Sequence, residues 1–351
     1  MERPVSKPIG QNFLELDTPA LIVDRNLLKA NIESMASDVM TTDVKLIPNA
    51  ATHGTSAIAR AQTNYNPKSP IFVDTFQQAE CFFEAGFENI IIQSPPIGIS
   101  KMESLRHLGE SQTLTVSISN VAHLNTLKLA QGSHISVLIK IPNTSDSVGV
   151  KTHEDLIQIT EELASLGHLQ YAGLITNANA IDYIEQACAA LLSAAKYLDN
   201  NSISSDQLLV NASNLLFQKE IKNISKGITG LISGTYPFTR KPEETACSVI
   251  STVMSTPEPG RAYVDCGQKA ISIDHGVPLI TNYAGAKIEK MSAEHGYVIF
   301  DSSKLQLQIG DKILLSPASY SDTFNLYDFV NIIEDDKLKS VLPTNSRGAF
   351  K

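Results

Sequence analysis

The sequence predicts an α/β protein, a (β/α)8 barrel over residues 1–240 followed by a β-rich domain over 241–351, with residues 1–17 a candidate addition to the second. Three observations predict it. From about residue 18 to 236, short runs rich in Val, Ile and Leu are each followed by a polar turn and a helix-period segment, the pattern of repeated βα units. After about residue 240 the helical period fades into short alternating runs such as Ala262-Tyr-Val-Asp265, Gly296-Tyr-Val-Ile-Phe300 and Lys312-Ile-Leu-Leu-Ser316. A chain of 351 residues also exceeds what one hydrophobic core usually holds.

Eight runs read as strands: Pro19 to Asp24, Val44 to Asn49, Pro70 to Asp74, Asn89 to Gln93, Thr113 to Ser119, Ile135 to Ile141, Tyr171 to Thr176 and Leu208 to Asn211. The helices between them are amphipathic. After His153, Leu156, Ile159 and Leu163 fall on one stripe with acids opposite, and Ile181 to Leu198 repeats the pattern with Ala and Leu. An open doubly wound sheet is the competing architecture; the count of eight and the lack of a G-x-G-x-x-G turn favour closure.

Composition narrows the function classes. With 42% hydrophobic and 19% charged residues the chain reads as globular, and a net charge of −9 without a Lys/Arg cluster argues against nucleic acid. The N-terminus lacks an apolar leader and no run is long enough to span a bilayer, so a cytoplasmic protein with no membrane partner is expected. Cys81, Cys188, Cys247 and Cys266 show no paired spacing and read as buried thiols.

Barrel chemistry sits where strands end at the C-terminal face. Here those ends are mostly amides: Asn49, Asn143, Asn177 and Asn211, with Gln93 and Asp74 beside them. Each Asn alone is explained by turn or helix-cap preference. Together they describe a ring of neutral donors and acceptors suited to a small polar metabolite. His53 follows the second strand and is a candidate general base or donor, with Asp74 a candidate partner acid; the alternative is a histidine satisfied by loop backbone. Asp146 reads as a solvated loop acid. No metal spacing, nucleophile elbow or P-loop is present.

Beyond these readings, the chain resembles the D-threonine aldolase and D-serine dehydratase family of fold-type III pyridoxal-phosphate enzymes, with an alanine-racemase-like barrel. The resemblance rests on Thr18-Pro-Ala-Leu-Ile-Val-Asp24, Leu46-Ile-Pro-Asn-Ala-Ala-Thr-His53, Ser251-Thr-Val-Met-Ser255, Pro259 to Ser272, Glu294-His-Gly296 and Thr323 to Asp328. It implies that the Schiff-base lysine position is Ala51, beside Thr52; that an arginine supporting the cofactor ring has become Ser147; and that the family's Y-x-G-H turn reads Asn177 to Ala180. It further implies a phosphate turn at Asn211-Ala-Ser213-Asn214 and a retained contact at Gly234-Thr-Tyr236, and aligns the family's metal ligands with Ser319 and Ser321, so that no metal is expected. Lys140 is the candidate replacement amine.

The resemblance therefore predicts a degenerate member. It would be a pseudoenzyme binding a small polar metabolite or a non-catalytic subunit, a homodimer or the partner of an active paralogue, holding pyridoxal phosphate non-covalently or through another lysine if at all. Two alternatives stand beside it. One is acid–base chemistry repurposed at His53. The other is a lyase on D-3-hydroxy amino acids, if Ala51 is an engineered substitution or Lys140 substitutes.

Overall fold

The computed structural model describes residues 8–178, 183–213, 224, 226–241 and 244–350. They divide into two compact units. One comprises the segment up to Glu33, Thr52–Ala57 and Thr235–Arg347; the other comprises Ser34–Ala51, Ile58–Gly234 and the residues from Gly348.

The second of these is the barrel. In chain order after β1 (Ala20–Asp24), which belongs elsewhere, its strands are β2 (Lys45–Pro48), β3 (Ile71–Val73), β4 (Asn89–Ile92), β5 (Thr113–Ile118), β6 (Ile135–Lys140), β7 (Leu169–Asn177), β8 (Gln207–Asn211) and β9 (Gly230–Ser233). They form one parallel eight-stranded sheet in the order β2-β9-β8-β7-β6-β5-β4-β3. An isolated parallel bridge from Asn49 to Phe72 brings the two edges together, so the barrel is nearly closed. Ile47, Phe72, Ile91, Leu138, Ile175, Leu209 and Ile232 form one buried cluster. A cluster drawn from seven strands of a closed sheet can only lie inside it, and this is the barrel's apolar filling. At Gly173 the register of β6 on β7 shifts, and a Cβ there would meet the Gln207 carbonyl oxygen at 2.0 Å, so only glycine fits.

The helices follow their sequence logic. His153–Ala164 starts at Thr152, whose hydroxyl accepts the Asp155 N–H at 3.1 Å, and buries Leu156, Ile159 and Leu163. Ile184–Asn200 buries Ile184, Leu191 and Leu198; residues 181 and 182 of the expected span lie outside the described residues.

Two strands differ from expectation. Ala20–Asp24 is not the barrel's first strand: it pairs antiparallel with Cys247–Glu258 and parallel with Phe329–Glu334 in the other unit's sheet. Its run Ala-Leu-Ile-Val is buried on both faces, and such a run looks the same whichever sheet encloses it. The eighth barrel strand is Gly230–Ser233, four residues opened by a glycine, too short and too interrupted to stand out in the sequence.

In the first unit, Lys287–Met291, Gly296–Ile299, Arg261–Val264, Cys247–Glu258, β1, Phe329–Glu334 and Lys337–Pro343 follow one another across a sheet, with Lys312–Ser316 bridging Cys247–Glu258 to Leu279–Ile280. Phe13, Leu16, Ala20, Ile22, Ile250, Ile333 and Leu338 form one buried cluster on it.

Candidate functional site

Side chains on a strand alternate, so the residue two places beyond each apolar filler faces the same interior. Applied strand by strand, this puts Asn49 beyond Ile47, Asp74 beyond Phe72, Gln93 beyond Ile91, Lys140 beyond Leu138, Asn177 beyond Ile175 and Asn211 beyond Leu209. Gly234 stands in the same relation to Ile232, and β5 contributes Ser117, which pairs in register with Leu138. The C-terminal end of the barrel is therefore a polar ring above an apolar floor.

Much of the ring is hydrogen-bonded to itself. Asn49 Nδ2 donates to Ser213 Oγ at 2.8 Å, Ser213 Oγ donates to Asn211 Oδ1 at 2.5 Å, and Asn211 Nδ2 donates to Gln93 Oε1 at 2.8 Å. The Ala51 N–H donates to Asn49 Oδ1 at 3.0 Å, and the Ser117 hydroxyl donates to the Gln93 carbonyl oxygen. Asn177 differs: its Oδ1 is buried without a hydrogen-bond partner.

Charge enters the ring at two places, three strands apart. Lys140, 7% exposed, ends β6, and Asp74 follows β3. Burial pushes the Asp74 carboxyl up, with the Lys140 ammonium pulling the other way; burial pushes the Lys140 amine down, with Asp74 opposing. Asp74 is fixed through its backbone N–H, which donates to Gln78 Oε1 at 2.9 Å in the capping box of Phe76–Glu84. Near Lys140 lies His123, whose Nδ1 is 3.2 Å from Ser119 Oγ; burial and then the Lys140 charge push its imidazole down. Ser117, Ser119 and His123 were not singled out in the sequence. The alternation of Leu114, Val116 and Ile118 with Thr115, Ser117 and Ser119 is the signal that could have found the first two.

The loop after β6 is shaped by Gly149, where a Cβ would lie 2.6 Å from Pro142 N and 2.7 Å from the Lys140 carbonyl oxygen. Ser147, the position assigned to a lost arginine, closes the turn: its Oγ donates to the Thr144 carbonyl and accepts the Thr144 N–H, both at 2.9 Å. Asp146 is exposed.

His53 sits in the first unit, with no exposed surface. Its ring lies edge-on to Phe238 and Phe324, at centroid distances of 5.9 and 6.3 Å, and Nδ1 accepts the Thr55 N–H at 3.0 Å. The ring is walled by aromatics and that lone pair is engaged by loop backbone, the arrangement of a histidine satisfied by its own loop. Thr52 and Tyr236 are buried in the same unit, and Asn214 lies outside the described residues.

Ser319 caps Tyr320–Phe324, its hydroxyl donating to Asp322 Oδ2 at 2.7 Å. Among the described residues no group of three or more His, Cys, Asp or Glu could hold a metal ion. Cys188, Cys247 and Cys266 are buried and in no disulfide, and burial pushes the last two thiols up; Cys81 is half-buried. No helix among the described residues is long and apolar enough to cross a membrane.

Comparison with known proteins adds family context. Residues 246–333 match the model of a putative serine dehydratase domain. The chain is 25% identical to a D-threonine aldolase of an Arthrobacter species, across 98% of this chain and 96% of that protein. It is 22% identical to the 3-hydroxy-D-aspartate aldolase of Paracoccus denitrificans strain Pd 1222, across 97% and 94%. The crystal structure of D-threonine aldolase from Filomicrobium marinum superposes with a TM-score of 0.89 at 24% identity, covering 99% of this chain and all of that one.

Proposed function

For a chain that belongs to the D-threonine aldolase and D-serine dehydratase family, we propose a non-catalytic role: binding a small polar metabolite in the amide ring of the barrel, without the pyridoxal-phosphate chemistry that the resemblance implies for the family. The observation that carries this reading is the self-engagement of the ring. A phosphate would need bare N–H groups at the turn after β8 and at Gly234. The Ala212 N–H donates to the Ile232 carbonyl at 2.9 Å, the Ser213 N–H to Asn211 Oδ1 at 3.2 Å, and the Gly234 N–H to the Ser213 carbonyl at 3.2 Å. Position 51, where the resemblance places the amine, carries a methyl group whose own N–H is bonded to Asn49. These residues do not fit pyridoxal phosphate.

A metabolite suits what remains. Amides and hydroxyls discriminate by hydrogen bonding, and the unpartnered Asn177 Oδ1 offers an acceptor to a ligand hydroxyl or amide N–H. Ile97, Ile99 and Val148, in or just after the segments that follow β4 and β6, are 58%, 75% and 68% exposed and favour a partner protein covering them, a second copy or an active paralogue.

The test is an absorbance titration with pyridoxal phosphate, borohydride reduction with intact mass, and an assay for acetaldehyde released from D-threonine. The expected result is no spectral shift, no mass gain and no acetaldehyde above background. Stoichiometric reduction onto a lysine, with acetaldehyde release, would restore the lyase reading.

A further inference from the structure

We propose that Lys140 is a reactive amine that condenses with a small, uncharged hydroxyaldehyde held in the barrel ring, with Asp74 as its proton donor. The inference rests on the reading of the ring as a ligand site and names the class of ligand.

Four observations meet here. Lys140 and Asp74 are the charged members of a ring otherwise built of amides, hydroxyls and glycine, and they lie on strands three apart, facing one interior. Leu138 lies two residues below Lys140 on β6 and Ile175 pairs with it in register on β7, so the 7% exposed lysine rises from the barrel's apolar cluster. Burial pushes the Lys140 amine down, toward its nucleophilic neutral form, with Asp74 opposing, and pushes the Asp74 carboxyl up, toward the form that can donate a proton. Asn177, on the neighbouring strand, holds an acceptor oxygen without a partner.

The chemistry balances without a cofactor. The Nζ lone pair attacks the carbonyl carbon, an N–C bond forms and the C=O π bond opens onto the proton of Asp74. The nitrogen returns a proton to Asp74, which passes it to the hydroxyl; water departs as the C–O bond breaks, and the C=N formed gives its remaining N–H proton back to Asp74, so that one water leaves for one amine condensed. The ligand's charge follows from the ring: with the Lys140 nitrogen committed to C=N, the ring offers no ammonium to a ligand carboxylate, which would face Asp74 without a counter-charge. A 2-oxo acid is disfavoured on that ground, and a ligand hydroxyl donating to Asn177 Oδ1 is favoured.

The experiment treats the whole protein, without pyridoxal phosphate, with glycolaldehyde and cyanoborohydride, followed by peptide mapping, and repeats it with pyruvate, with Lys140→Met and with Asp74→Asn. The expected result is reductive labelling of Lys140 at least ten times faster than that of surface lysines, lost in Lys140→Met, slowed in Asp74→Asn and much weaker with pyruvate. Thermal melting of both variants checks that they fold, and if Lys140→Met does not, protection of Lys140 in the wild type by prior glycolaldehyde, read with a lysine-directed acylating reagent, decides instead. Labelling confined to surface lysines, or equal with pyruvate, would overturn the inference. Labelling by pyridoxal phosphate belongs to the separate titration above and would count against the non-catalytic role alone.

Discussion

Lys140 and Asp74 set the energetics of the barrel's polar end. Burial shifts each away from its charged form and the charge of each partly opposes the other's shift, so removing one leaves its partner desolvated and uncompensated. We predict that Asp74→Asn and Lys140→Met each lower stability by roughly 1–3 kcal/mol at neutral pH, and that the double variant is more stable than the sum of the singles requires. Urea denaturation of the four proteins measures this; strict additivity would mean that the two do not interact. The pH dependence has two limbs. Asp74 has a folded value above its unfolded ~3.9, so its contribution is present in acid and lost as pH rises from there to the raised folded value. Lys140 has a folded value below its unfolded ~10.4, so stability is regained as pH climbs from the lowered folded value to ~10.4. The wild-type curve relative to the double variant should fall on leaving acid and rise in alkali. At this scale the sequence was legible where a strand-end residue was chemically conspicuous, as with Asn49, Asn177, Asn211 and Lys140. Ser117 and Ser119 were not, because serine reads as turn unless the alternation around it is followed. At His53 the two readings could not be separated by sequence, because the chain leaves the barrel unit between Thr52 and Ala57 and no local pattern marks that crossing.

Single elements carry the ring on two devices, caps and close approaches. Thr152→Ala removes the hydroxyl that accepts the Asp155 N–H and should cost about 1 kcal/mol in urea denaturation without touching the ring, since His153–Ala164 packs through Leu156, Ile159 and Leu163. Gly149→Ala is expected to be different in kind. Its new methyl would press on the backbone of Pro142 and on the Lys140 carbonyl, atoms that cannot rotate away, so a loss on the order of 1–3 kcal/mol should come with slower labelling of Lys140. A Gly149→Ala protein labelled at the wild-type rate would show that the loop does not position the amine. The βα pattern revealed most of these elements, because amphipathic helices and apolar strands differ in period. What it could not reveal was membership: Ala20–Asp24 and the barrel strands share one composition, and only the antiparallel partner at Cys247–Glu258 tells them apart.

Across the whole molecule, family likeness and family chemistry separate. The match to the dehydratase model covers 246–333, all in the first unit; of the positions where the resemblance implies a change, 51, 147 and 211–213 lie in the barrel and 319 and 321 within the matched span. The scaffold motifs are held by packing that any member needs: a Cβ at Gly267 would meet the backbone of Glu294 and His295 within 2.5 Å, joining two of the segments by which the resemblance was first visible. The barrel changes are instead coupled to one another, since Asn49, Asn211 and Ser213 satisfy each other's polar groups and tie down the Ala51 N–H. This coupling predicts that Ala51→Lys by itself does not restore cofactor capture. The new amine would arrive at a turn where the Ala212, Ser213 and Gly234 N–H groups remain engaged, and borohydride should trap far less than one pyridoxal phosphate per chain. Adding Asn211→Gly releases the Ser213 N–H from its side-chain acceptor, and Ser213→Gly clears the hydroxyl from the turn, so the trapped fraction should rise at least tenfold, read by intact mass. Stoichiometric trapping in Ala51→Lys alone would mean that the loss of the lysine was the whole of the divergence and that the amide ring accommodates the phosphate as it stands.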